Sequence, residues 1–214
     1  MNNNPLTKNT HAAAKRRSRP ANAQNRIPTK QRIFNELKQM ILEMDYHKIT
    51  VKALTARLGI NRKTFYLYYP TLPDLFLALE DQIFNQMLAG TKQHLKEDAT
   101  LADYFLTQEF MTIIESDPQL QKKLICDPSY AWLYENVRRR YVVAIKDDIK
   151  RLNGGQDMCA EITANFIINS IFYTYRAWLS SETNITQEAL ATIISDLIHK
   201  GVDSTIKPGA TTVF

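Results

Sequence analysis

Residues 49–79 read ITVKALTARLGINRKTFYLYYPTLPDLFLAL, and the reading of this stretch decides the fold. Thr50 offers a side-chain oxygen to the first free backbone N–H groups of a helix, and Val51, Leu54 and Leu58 follow at i, i+3 and i+7. Two turns later Gly59 breaks the pattern. Glycine enters the left-handed region without penalty, so Gly59 ends the helix and lets Ile60 fold back on the core. Asn61 then caps a third short helix, RKTFYLYY, which Pro70 stops. Thr71, with Pro73 in the first turn and Asp74 three residues on, opens a long helix whose Leu75, Leu79, Ile83 and Met87 form one stripe to about Glu97.

Upstream, Thr29 is placed to cap a helix in which Ile33, Leu37, Met40, Ile41 and Met44 recur at three- and four-residue steps, ending near Asp45. Two short helices joined by a Gly-Ile-Asn turn, leaned on a first helix and followed by a fourth, have the anatomy of a DNA-reading helix-turn-helix. Phe65, five residues after Ile60, buries with it against Val51, Leu54 and Leu58. Arg62, Lys63 and Tyr66 are then turned outward. Arg62 can pair with a guanine edge, while Lys63, Thr64, Tyr66 and Tyr68 have the reach for phosphates or a thymine methyl. Tyr69 joins this set of candidate DNA contacts, with plain core burial as the rival reading for it and for Tyr66.

The quoted stretch resembles the signature of the tetracycline-repressor (TetR) family. The marks are Thr50-Val51, Leu54, Gly59-Ile60, Thr64-Phe65-Tyr66, Tyr68-Tyr69 and Leu75, and the likeness extends over roughly residues 30 to 80. It implies a DNA-binding head joined to a helical C-terminal domain for ligand and dimer contacts. It also implies base or backbone contacts for positions 62, 63, 64, 66 and 68, and backbone contacts for Thr50 and Lys52. One departure stands out: most relatives carry a phosphate-holding lysine where this chain has Leu72. Affinity then leans on the basic leader, where Arg16, Arg17 and Arg19, flanked by Lys15 and Arg26, can follow the DNA backbone or enter a minor groove. A solvated leader is the alternative.

Charge is distributed to match. The net +5 combines a first segment, 1–35, with eight Lys or Arg and no acid, a middle, 36–70, with six basic and three acidic residues, and a body, 71–214, with thirteen basic and nineteen acidic residues. A basic head on an acidic body points to a polyanion partner for the head, double-stranded DNA. The expected organisation is a basic, flexible arm over 1–28, a helix-turn-helix domain over 29–75, a helical regulatory and dimerisation domain over 76–205 and a tail over 206–214. Neither the lone Cys126 nor the lone Cys159 has a metal-ligand neighbour, so no zinc site, other metal or cofactor is expected, and a reducing cytoplasm is. Residues 1–20 contain no apolar run of the length a signal peptide requires, so export is not expected. Ile162 to Leu179 approaches a membrane span in length, but Asn165, Asn169 and Arg176 mark it as a buried helix rather than a membrane segment.

Further helix starts are expected at Thr100, Asp117-Pro118, Asp127-Pro128, Asp157 and Thr186, and no stretch alternates with period two, so the class is all-α. The helix from about Asp157 is apolar nearly all round, through residues such as Ile162, Phe166 and Trp178. The last helix carries the stripe Leu190, Ile193, Ile194, Leu197 and Ile198. By the family resemblance these two form a four-helix homodimer interface, drawn here through Ile162, Phe166, Trp178, Leu190, Ile194, Leu197 and Ile198. A two-fold dimer implies a palindromic operator and a nucleoid-bound state. A small-molecule effector that releases the repressor would lie among Tyr104, Phe105 and Phe110, then Tyr130, Trp132, Tyr134 and Tyr141, although each also suits a plain core. Arg138-Arg139-Arg140 reads as a solvated face or, more sharply, as a site for an anionic effector. Catalysis is not expected: His11, His47, His94 and His199 are scattered, and no spacing sets acid, base and nucleophile together. The remaining alternative is an architectural protein or co-regulator whose body binds a partner protein.

Overall fold

The computed structural model describes residues 27–97, 102–152 and 157–206, and among these it contains nine α-helices and no strand. The head consists of α1 (Thr29–Glu43), α2 (Val51–Leu58) and α3 (Arg62–Tyr66). The long α4 (Leu72–Glu97) leaves the head and becomes the first helix of the body. There follow α5 (Ala102–Ser116), α6 (Pro118–Cys126), α7 (Ala131–Leu152), α8 (Asp157–Leu179) and α9 (Gln187–Ile206). Short 3-10 turns at Tyr46–Lys48 and Pro128–Tyr130 precede α2 and α7. Among the described residues no helix is long and apolar enough to cross a membrane.

Most of the expected end signals act as their chemistry dictates. Thr50 Oγ1 accepts from the Ala53 N–H at 3.1 Å, and Asn61 Oδ1 from the Lys63 N–H at 2.9 Å. Thr71 and Asp74 cap reciprocally, the Thr71 N–H and hydroxyl both donating to Asp74 Oδ2 at 2.8 and 2.7 Å. Thr186 Oγ1 accepts from the Ala189 N–H ahead of α9, and Asp127 Oδ1 from the Ser129 N–H ahead of α7. The first helix differs from expectation. Pro28 takes the capping position with an extended backbone and Thr29 is already helical, because the proline ring presets the turn into the helix and leaves no role for the hydroxyl. The third helix is also shorter than its eight-residue pattern. After Tyr66 the chain tightens so that the N–H groups of both Tyr68 and Tyr69 donate to the Phe65 carbonyl at 3.0 Å.

The stripe on α1, Ile33, Leu37, Met40 and Ile41, is fully buried against Leu54 of α2, Phe65 of α3 and Leu75 of α4. Arg57 reinforces this from outside, its guanidinium reaching Glu36 at 2.6 Å and Glu43 at 2.6 and 2.8 Å, so that two acids of α1 hold one cation of α2. The hydrogen bond from Arg57 holds the Glu43 carboxyl below its ordinary range.

Head and body meet along a second seam. The Tyr130 hydroxyl donates to the Met44 carbonyl at 2.6 Å, the Tyr46 N–H donates to Ser129 Oγ at 3.3 Å, and the Tyr46 ring meets Phe76 and Trp132 edge-on at 5.0 and 5.4 Å. Asp127 stiffens the same corner. A hydrogen bond from Lys123, and another from the Ser129 backbone, bring its carboxyl down to about 2. The expected division at positions 75 and 76 falls inside α4, which serves both halves. In the body α8 packs along α7, while α5 lies between α4 and α9. Phe110, Phe172 and Tyr175 fill its centre, with Phe110 and Phe172 rings 4.7 Å apart.

Candidate nucleic-acid interface

The geometry of α3 begins at Gly59, whose φ of 64° is left-handed. A Cβ there would meet nothing within 4 Å, so the demand for glycine comes from the backbone alone. The reversal is closed by the Gly59 N–H on the Ala56 carbonyl at 3.2 Å and the Ile60 N–H on the Thr55 carbonyl at 3.0 Å. Arg32 reaches over from α1 to donate to the Leu58 carbonyl at 3.2 Å, satisfying another orphan acceptor of α2. Past the turn, Phe65 has no exposed surface and pins the five-residue helix to the core. A helix this short has negligible stability of its own, so its direction is set by that one buried ring and the turn before it.

With Phe65 inward, the other side of α3 and the turn after it face solvent. Arg62 and Lys63 are exposed and, among the described residues, pair with no acid. Tyr66 is 51% exposed, Tyr68 is also exposed, and Thr64 is half-buried beside them. At the start of α2 Thr50 and Lys52 are exposed as well, with the Thr50 hydroxyl already engaged as a cap. The arrangement collects cations, hydroxyls and aromatic edges on one convex surface, with the chemistry needed to contact phosphates and base edges. Arg16, Arg17 and Arg19 lie outside the described residues.

Two residues change places relative to the sequence reading. Tyr69 is only 5% exposed, its ring centred 6.0 Å from that of Phe65, with Lys30 Nζ 5.7 Å above it, and its burial pushes the phenol up. It is a core residue and leaves the set of candidate DNA contacts. Leu67, absent from that set, is 81% exposed between Tyr66 and Tyr68. The signal for it lay in register: it is four residues after Lys63 on the same helical face, but an apolar side chain is by default assigned inward. Leu72, where a phosphate-holding lysine is usual, is half-buried against the core.

The described members of the aromatic set proposed as an effector lining are taken up by packing at different places. Tyr130 and Trp132 belong to the seam between head and body. Tyr141 is buried with its hydroxyl hydrogen-bonded to that of Thr91, and its acidity is suppressed by burial. Phe110 is part of the central cluster. Tyr134 lies against Phe172 at 4.9 Å with its hydroxyl buried and unpartnered, and burial pushes that phenol well up. The side chains of Tyr104 and Phe105 lie outside the described residues. The arginine run is likewise not a uniformly solvated face. Arg138 donates to Glu135 and to Asn169 Oδ1, and Arg140 to Glu80, so only Arg139 is fully exposed.

The proposed association residues divide by face. Ile162 is 64% exposed, and Phe166 and Leu197 are exposed with it, joined by Met158, Tyr173 and Ile193. By contrast Leu190, Ile194 and Ile198 are buried within the chain, Ile194 being 2% exposed, because their four-residue step faces α5 and α8. Trp178 is half-buried and donates to the Ile185 carbonyl at 2.9 Å. Those four therefore complete the chain's own core, and the outward apolar face is carried by the remaining residues.

No protein-family model and no curated protein sequence matches the chain. Solved structures do. The transcriptional regulator FadR from Bacillus subtilis, in complex with stearoyl-CoA, is similar with a TM-score of 0.63 at 16% identity, over 80% of this chain and 98% of that one. The fatty acid degradation regulator FadR from Bacillus halodurans is similar with a TM-score of 0.63 at 16% identity, over 82% and 96%. A TetR/AcrR-family regulator from Thermobifida fusca follows at 0.57 and 15%, over 80% and 97%. The fold is that of the TetR-type transcriptional regulators.

Burial separates the two tyrosines experimentally. Tyr69→Ala is expected to lower folding stability by about 3 kcal/mol through loss of core contacts, whereas Tyr66→Ala is expected to stay within about 1 kcal/mol of the parent. Urea unfolding of the two variants checks this, and equal losses would contradict the assignment of faces.

Proposed function

We propose that this chain is a homodimeric, sequence-specific DNA-binding regulator of the TetR type, acting as a repressor that leaves a palindromic operator when an effector occupies its C-terminal domain. The observation that carries the reading is the outward face of α3. Arg62, Lys63, Tyr66, Leu67 and Tyr68 are held clear of the core by Phe65 and the Gly59 turn, without an acid among them. In this reading Arg62 takes a guanine edge, Leu67 and Tyr66 take thymine methyls, and Lys63, Tyr68, Thr64, Thr50 and Lys52 hold phosphates. Arg16, Arg17 and Arg19 add phosphate or minor-groove contacts. A DNA partner places the protein on the nucleoid in the cytoplasm.

The likeness in fold to transcriptional regulators supports the DNA-binding part. The bound stearoyl-CoA of the Bacillus subtilis regulator supports reading the body as an effector domain. The dimer rests on the outward face of α8 and α9, where Met158, Ile162 and Phe166 at four-residue steps, with Leu197, offer an apolar strip of the kind an association surface covers.

In mobility-shift titrations on the DNA upstream of its own gene, Arg62→Ala and Tyr66→Ala are each expected to weaken binding about tenfold or more. Lys63→Ala is expected to flatten the dependence of log affinity on log salt by about 0.9. Parent-like binding by the first two variants would contradict the reading. In light scattering, Phe166→Glu is expected to give a folded monomer, whereas Ile194→Glu buries a charge and is expected to unfold the body. A folded Phe166→Glu dimer would move the association surface elsewhere.

A further inference from the structure

Between α4 and α7 lies an open groove of about 580 Å³, within the size range of small-molecule sites. Its α7 wall comprises Asn136, Arg139, Arg140, Val143 and Ala144, which recur at three- and four-residue steps and so share one face. Glu80 and Phe84, one turn apart, form the α4 wall.

The polar groups of the groove form a connected chain. Arg139 Nη2 donates to Asn136 Oδ1 at 2.6 Å, and Asn136 Nδ2 donates to Glu80 Oε2 at 3.3 Å. Arg140 Nη1 lies 2.8 Å from Glu80 Oε1 and 2.9 Å from Asp81 Oδ1, with its guanidinium 4.3 Å over the Phe84 ring. Both oxygens of Glu80 are therefore occupied, and its side chain is 6% exposed, so the acid is closed to a ligand. Arg140 is matched by two acids. Arg139 is exposed and, among the described residues, hydrogen-bonds only a neutral carbonyl, with Glu135 near enough to feel its charge, so Arg139 is the group at the rim open to an anion. One turn on, Val143 is 74% exposed, and with Ala144 and Phe84 it supplies an apolar surface beside that charge.

From this juxtaposition we infer that the α4/α7 groove binds an amphipathic organic anion, its carboxylate or sulfonate on Arg139 and its hydrocarbon or aromatic body across Val143 and Ala144 towards Phe84. A guanidinium gives a charge-assisted, forked contact to such a head group, and the apolar wall removes the body from water. A cation gains no partner at Arg139, and strongly polar anions leave Val143 uncovered. Binding would also act on α4. An anion that draws Arg139 off Asn136 frees the amide that satisfies one oxygen of the buried Glu80 carboxylate, which disfavours the present seating of α4 on α7. Because only five residues separate α4 from the end of α3, this consequence, which rests on the regulator reading above, is a change in DNA affinity.

The test uses the full chain and two fluorescent probes of similar shape, anionic 8-anilinonaphthalene-1-sulfonate and neutral N-phenyl-1-naphthylamine. The sulfonate is expected to saturate at one per chain. Arg139→Gln should weaken it about tenfold while leaving the neutral probe's affinity as it was. Val143→Trp, which fills the groove from an exposed position and is checked for an unchanged thermal midpoint, should remove both. Phe166→Glu, on the outward apolar face of α8, should change neither. Sulfonate binding that survives both groove substitutions, or that disappears with Phe166→Glu, would overturn the site. Saturating sulfonate should also lower the parent's DNA affinity but not that of Val143→Trp; equal DNA affinity with the groove filled would overturn the coupling through α4. A chain that bound no duplex at all would remove the regulator reading and leave the groove binding intact.

Discussion

The left-handed backbone at Gly59, followed six residues later by the fully buried ring of Phe65, is the constraint on which the head depends. A five-residue helix cannot orient itself by its own hydrogen bonds, since nucleating a helix fixes several dihedrals for each bond formed. Its bearing comes from the turn that launches it and the ring that seats it. Every exposed property of the head follows from these two facts: once Phe65 points inward, Arg62, Lys63, Tyr66 and Leu67 have nowhere to go but outward.

The second requirement is that this face be held at a fixed attitude to the body. Besides the packing of α1 on α6, with Lys38 3.6 Å from Asp117, two connections do so, and they differ in kind. The first is α4, a continuous helix that is capped at Thr71 beside α3 and runs 26 residues into the body. The second is the seam of Tyr130, Ser129 and Tyr46, where a phenol and a hydroxyl bond to backbone groups of the loop between α1 and α2, and aromatic edges fill the space between. Together these connections make the attitude of the head a property of the body's internal arrangement, which is the precondition for a ligand in the body to alter a contact made by the head.

Much of this was legible in the sequence, because it is written in local chemistry. Thr50, Asn61, Thr71 and Thr186 act as caps, Gly59 as a left-handed terminator and Phe65 as the anchor, each for reasons contained within a few residues. What was not legible depends on which of two neighbours covers a helix face. Periodicity placed Leu190, Ile194 and Ile198 on one stripe of α9, but only the tertiary arrangement shows that α5 and α8 cover this stripe within the same chain. The exposed apolar residues of that helix are Ile193 and Leu197. Tyr69 and Leu67 exchanged places although register held: Tyr69 stands four residues after the buried Phe65 and Leu67 four after the exposed Lys63, but residue type argued the other way at both positions. The arginines at 138 to 140 looked alike in sequence, and separated only when Glu135 and Asn169 claimed one, Glu80 and Asp81 another, leaving Arg139 unpaired by any acid among the described residues.

The outward face of α3 is the central claim, and photo-cross-linking from that face is its most direct test. With p-benzoylphenylalanine in place of Leu67, irradiation of the protein with duplex DNA should yield a covalent adduct. The same amino acid in place of Phe166, also exposed but on the outward apolar face of α8, should yield none. An adduct from position 166 and none from position 67 would show that the duplex lies elsewhere and that α3 does not read it.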